Sequence, residues 1–182
     1  MAGGKLARVR DRQTGVRQAS RVRDLCGWRG VVLPAVRLAG GEASPVVTWR
    51  VEELRSRADR GAHPVLNRGV VRDWVRDGGG EPETLHLDGF VFTGRRRDVA
   101  SAMSTLAGVG PIAWALRDPD DWAQWTSELS GYWLVDTRRD KVVTCGHHAP
   151  NPATATSVQY RLLSEQLFDL AVTAGVVPWP NC

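Results

Sequence analysis

Lysine is almost missing from this 182-residue chain: of its 24 basic side chains, only Lys5 and Lys141 are lysines. With Ala, Gly and Val abundant, that scarcity reads as coding bias, so arginine richness alone does not argue for phosphate contacts. Cysteine is scarce too. Cys26, Cys145 and Cys182 are odd in number and far apart, which argues against a disulfide framework and for a reducing, cytoplasmic compartment. No apolar run approaches the ~18–20 residues of a membrane span, and the basic start lacks the apolar stretch of a secretory signal. No membrane association is expected. Neither Gly-x-Gly-x-x-Gly nor Gly-x(4)-Gly-Lys-Ser/Thr occurs, and the triple glycine 78–80 leads into Glu81-Pro82 rather than into a helix start. No cofactor is expected. The nucleophile motif Gly-x-Ser-x-Gly is absent as well.

The charge present is unevenly placed. Residues 1–30 hold eight basic side chains against Asp11 and Asp24, a net +6, while the whole chain is +4 and residues 31–182 are therefore −2. A high pI points to a nucleic-acid-binding domain only when the folded unit carries a basic face. Here the positive charge lies in a stretch without apolar periodicity. Residues 1–30 are thus expected to form a disordered, flexible basic tail that folding does not need.

Length suits one domain with an extension. Residues 31–80 read as a small, mostly helical subdomain. It opens on the apolar run Val31-Val32-Leu33, continues through a loop at Gly40-Gly41, and has helices capped by Thr48 and Asn67. The glycines at 78–80 form a linker. Residues 81–182 read as an α/β domain. Thr84–Phe92 alternates around Asp88-Gly89, the pattern of a tight type I′ hairpin, with one continuous strand as the competing reading. Val99, Ala102, Met103 and Leu106 mark an amphipathic helix, and Pro111–Leu116 a buried strand. Asp118 is expected to cap the next helix, with Pro119 at its first position and Trp122, Trp125 and Leu129 as its apolar stripe. Two strands, Gly131–Thr137 and Lys141–Cys145, meet at a tight turn. Thr156 and Gln159 form a capping box for a final helix. Its apolar face is Leu163, Leu167, Leu170, Ala171 and Ala174, its opposite face holds Arg161, and Gly175 ends it. The class is α/β, with α+β as the alternative: a mixed sheet of about four to five strands with helices packed on it.

Candidate chemistry is sparse. Cys145-Gly146-His147-His148 is the densest group of metal-ligand types, but adjacent histidines rarely reach one ion and no second pair stands at zinc-finger spacing. No metal is expected. His86 and Asp88 share a face if residues 84–92 are one strand, and such a pair can orient an imidazole as a base. Arg95-Arg96-Arg97 opens a helix, where the dipole disfavours cations; it reads as a solvated face, or else as an anion or acidic-partner site. Tryptophan is plentiful, eight against two Tyr and three Phe. Trp114 and Trp133 read as core. Trp122 and Trp125, beside Asp118, Asp120 and Asp121, read as an aromatic anchor within an acidic patch.

Leu85-His86-Leu87-Asp88-Gly89 and the helix after it resemble the opening of barstar-like ribonuclease inhibitors, and Asp120-Asp121-Trp122 is similar to their inhibitory helix. A Pro-Ile-Ala-Trp-Ala-Leu stretch intervenes, and the Gly-x-Asn-x-Asp-Ala-Leu signature is absent. The resemblance implies an acidic inhibitor or immunity protein.

The expectation is therefore a small soluble protein of inhibitor, immunity-like or accessory type. It would bind a protein partner rather than a small molecule, through Asp118, Asp120, Asp121, Trp122 and Trp125. Two alternatives stand beside it. A small hydrolase-like enzyme would gather two or more of His86, Asp88, Cys145, His147 and His148 in one concave pocket. A nucleic-acid binder would use residues 1–30, with steep salt dependence.

Overall fold

The structure is a computed structural model that describes residues 3–147 and 157–179, with side chains from residue 14 onward. Its elements run α1 (Gly3–Leu25), β1 (Val31–Val32), β2 (Val36–Leu38), β3 (Gly41–Trp49), α2 (Val51–Asp59), α3 (Arg68–Asp77), β4 (Leu85–Phe92), α4 (Arg96–Ala107), β5 (Ile112–Leu116), α5 (Asp121–Ser130), β6 (Trp133–Asp136), β7 (Lys141–Thr144) and α6 (Val158–Ala174). The fold is α/β. The seven strands form one mixed sheet in the order β1-β3-β4-β5-β6-β7, with β2 also on β3. That exceeds the four to five strands expected, because residues 31–49 are extended rather than helical. A two-residue turn at Ala39-Gly40 joins β2 to β3. Both residues hold positive φ, 48° and 88°, as a type I′ turn demands.

β4, β5 and β6 are parallel, and β3 and β7 flank them antiparallel. Parallel neighbours need a crossover. α4 and α5 supply it; α4 buries its apolar side, and α5 its Ala123, in one cluster with Leu85, Leu87, Phe90, Phe92, Ile112 and Leu134. Val99, Ala102, Met103 and Leu106 face that cluster as the spacing predicts.

The expected Asp88-Gly89 turn is absent. β4 runs straight through it, and Gly89 does not adopt positive φ. Pairing from β3 on one side and β5 on the other overrides the local turn preference. What remains of it is a bulge: Val46 pairs with Gly89 and Val47 with Leu87, leaving Asp88 as the extra residue. The strand–turn–helix opening shared with barstar-like inhibitors is therefore missing. Thr48 likewise caps no helix. It lies in β3, its hydroxyl donating to Asp88 Oδ2 at 2.7 Å, while Arg50 begins α2 without a side-chain cap. Asn67 does cap α3, accepting from the Gly69 and Val70 amides at 2.8 and 3.3 Å.

The flexible-tail expectation fails from residue 16 onward. Ala19, Val22 and Cys26 fall at i, i+3 and i+7 on one side of the chain and are buried with Trp28. They cover the sheet face opposite α4 and α5, against Val46, Val91, Ala113, Ala115 and Val135. The alanines of β5 leave room for a helix to approach closely. Burial, with the Cys145 thiol adding to it, pushes the Cys26 thiol up to about 12, so Cys26 is a small core hydrophobe rather than a reactive group.

α6 packs against α3 and meets α2 through a buried ion pair, and its buried side differs from the one expected. Ser157 rather than Thr156 caps it, accepting from the Tyr160 amide; Thr156 lies outside the described residues. Leu167 and Ala171 are buried as expected, but Tyr160, Arg161, Ser164, Glu165 and Phe168 join them. Arg57 of α2 is 0% exposed and meets Glu165, 2% exposed, through two hydrogen bonds of 2.8 and 3.0 Å. Arg161, expected on the outer face, is buried instead. It bonds the Glu81 carbonyl, lies 3.3 Å from Glu83, and stacks over Trp74. Its long stem covers apolar surface while the guanidinium reaches carboxylates.

Candidate functional site

The acidic-aromatic segment is placed by α5. Asp120 is the N-cap, its carboxylate accepting from the Ala123 amide at 2.7 Å. The cap was expected at Asp118. Asp118 lies instead in the loop after β5, 3.2 Å from Arg138 and 3.7 Å from Arg139. Of the three aspartates, one is thus paired, one is committed to the helix start, and Asp121 has no hydrogen bond or ion pair among the described residues.

The two indoles part company. Trp122 is half-buried, edge-on to Trp114 with ring centroids 6.5 Å apart. The Arg96 guanidinium lies 3.3 Å from its ring centre. This cation–π contact absorbs one of the three arginines at the start of α4, a partnership that local sequence could not show. Trp122 and Arg96 line a small cavity of about 170 Å³ between α4 and α5, with Met103 and Tyr132. Trp125, by contrast, is 59% exposed, and Leu129 is 68% exposed. They are four apart and stand one above the other on the helix. The inner side of α5 is made of Ala123 and Ser127, so two of the three residues of the expected stripe, Trp125 and Leu129, point outward. Beside it are Asp121, Gln124 and Glu128, and α5 holds no Lys or Arg.

A second place is built by the β4 bulge. His86 and Asp88 line one cavity of about 350 Å³ with Trp28, Arg29 and Thr48. Two of the five residues named for an enzyme do meet, because β4 is continuous. The Trp28 ring, which lines this cavity, also packs on Gly89, where any Cβ would run into it. Asp88 is held by Thr48, and the His86 imidazole makes no hydrogen bond among the described residues. Cys145 and His147 lie elsewhere. His147 donates its amide to the Gly131 carbonyl at 3.1 Å and lines a different cavity, with Tyr132 and Gly110. Cys145 is an exposed thiol, and His148 lies outside the described residues. Among the described residues no three His, Cys, Asp or Glu side chains are grouped to hold a metal ion. None of the described helices is long and apolar enough to cross a membrane.

Compared with known proteins, the chain matches no family model, no curated sequence and no solved structure.

Proposed function

We propose that this is a small binding protein, inhibitor- or immunity-like in action, that lays the outer face of α5 on a basic surface of a protein partner in the cytoplasm. One observation carries the reading. Trp125 and Leu129 stand exposed, one turn apart, on a helix whose ionised side chains are all acidic. A large ring supplies affinity at small entropic cost, and the carboxylates steer a cationic partner toward it. Asp120 contributes by fixing the helix start, and Asp118 is spent on Arg138.

The test uses a partner captured from host lysate and then purified. Trp125→Ala should weaken its equilibrium binding by roughly 30-fold, the scale of an interface anchor. Asp121→Lys with Glu128→Lys should slow association several-fold at low salt and have little effect at high salt. Both variants should melt within a few degrees of the parent, since every changed side chain is exposed. Asp120 is left intact because replacing a cap costs about 0.5–2 kcal/mol by itself. Unchanged affinity in Trp125→Ala would remove α5 as the docking face.

A second reading, a small hydrolase, is favoured by His86 and Asp88 sharing a cavity. Hydrolytic turnover that is lost in a stably folded His86→Ala variant, with Trp125→Ala fully active, would replace the binding reading with this one.

A further inference from the structure

We propose that the cleft between the C-terminal half of α1 and the loops following β5 and β6 binds a small polyphosphate, an anion with two or more linked phosphate groups. The site goes beyond the α5 interface and is built from different elements.

The cleft holds about 600 Å³ and is lined by Arg17, Arg21, Arg117 and Arg138, with Gln18 and Thr137 between them. Arg17 and Arg21 are four apart and share one face of α1. Arg117 directly follows β5, and Arg138 comes two residues after β6. Those strands are parallel neighbours with Leu116 beside Asp136, so their ends deliver both arginines to the same place. The loops are fixed. The Thr137 amide and hydroxyl both donate to the Leu116 carbonyl, at 2.7 and 3.1 Å. Asp136 Oδ1 accepts from the Arg138 and Arg139 amides at 2.9 and 3.1 Å, and Oδ2 from the Arg139 guanidinium at 2.6 Å.

Charge decides the ligand class. One acid lines the cleft, Asp140, and it pairs with Arg21. Arg138 meets Asp118 at 3.2 Å. Arg17 and Arg117 have no ion-pair partner among the described residues. With Asp140 and Asp118 each offsetting one guanidinium, the cleft keeps an excess of two positive charges, which an anion seated between Arg17 and Arg117 would offset. Each guanidinium presents a planar fork that matches two phosphate oxygens. The place also fits: in open α/β sheets, ligands lie outside the carboxyl ends of the strands. The volume is in the range of small-molecule sites, roughly 300–1,000 Å³. On the β5 side a nucleic-acid strand fits less well, because it needs a basic track beyond the cleft. Here Asp118, Asp120 and Asp121 follow at the end of β5.

Titration calorimetry with inorganic tripolyphosphate at low salt tests this. One equivalent should bind the full-length protein, and inorganic phosphate should bind at least tenfold more weakly. Arg17→Ala and Arg117→Ala should each weaken tripolyphosphate about tenfold or more. Arg117→Lys should also weaken it, because an ammonium lacks the fork. Arg68→Ala, an exposed arginine on α3, should change it less than twofold. Both cleft arginines are exposed, so thermal midpoints should hold and a lost signal will not reflect unfolding. No binding at millimolar tripolyphosphate would overturn the proposal, as would equal binding by Arg17→Ala and Arg117→Ala. Tighter binding of a single-stranded 20-nucleotide DNA through these same arginines would overturn it in favour of nucleic acid.

Discussion

Arg57→Ala is expected to lower the free energy of unfolding by about 3–5 kcal/mol, because it strands a buried carboxylate. Glu165 has no water to fall back on. It accepts from Arg57 at 2.8 and 3.0 Å and from the Val65 amide at 2.9 Å, and Arg161 lies 3.4 Å away. Arg57 is equally enclosed, donating to the His63 carbonyl at 2.8 Å and lying 4.9 Å from the Phe168 ring centre. Removing Arg57 alone leaves a desolvated Glu165 with only the Val65 amide and the longer Arg161 contact. Removing both charges does not, so Arg57→Met with Glu165→Leu should recover half or more of the loss. Urea unfolding of the single and double variants measures this. A single-variant loss below about 1 kcal/mol would mean that water reaches Glu165, since pairs at wet surfaces are worth no more than that.

Removal of residues 1–28 should abolish soluble, cooperatively folding protein. It would bare the sheet face formed by Val46, Val91, Ala113, Ala115 and Val135, which α1 covers. A point change makes the same argument without truncation. Val22 is 1% exposed, so Val22→Asp should cost roughly 3–5 kcal/mol as an unpaired buried carboxylate. Arg17→Ala on the exposed side of the same helix should be nearly silent. Soluble yield and thermal unfolding followed by circular dichroism decide the matter. A truncated chain melting within a few degrees of the parent would return residues 1–28 to the status of a tail.

α1 is hard to read in the sequence for a physical reason. Its buried side is narrow and uses small residues, Ala19, Val22 and Cys26, because β5 offers alanines opposite. Arginines at 17, 21 and 23 swamp that signal in any average. β3 was hidden by Pro45, which lacks an amide hydrogen and speaks against a central strand. Its carbonyl still accepts from Leu33, at 2.8 Å. At Asp88-Gly89 the dipeptide was read for its local preference, and its neighbours on both sides prevailed. Elements whose partners are near in sequence were legible: the Asn67 cap, the α4 spacing and the Gly175 stop all read correctly. The candidate face was legible only in part. Spacing could place Trp122 and Trp125 side by side, but Arg96 and Trp114, which turn one ring inward, arrive through the tertiary fold.

The sheet has two edges, and neither invites a further strand. On one side the outermost strand is interrupted at Leu33-Pro34-Ala35, between β1 and β2. On the other, β7 is four residues long and begins with an exposed lysine. Short, broken or charged borders discourage edge-to-edge pairing with another chain. One of the chain's two lysines thus stands where a cation keeps unpaired backbone from serving as a template. Among the described residues, strand addition is thereby disfavoured at both edges.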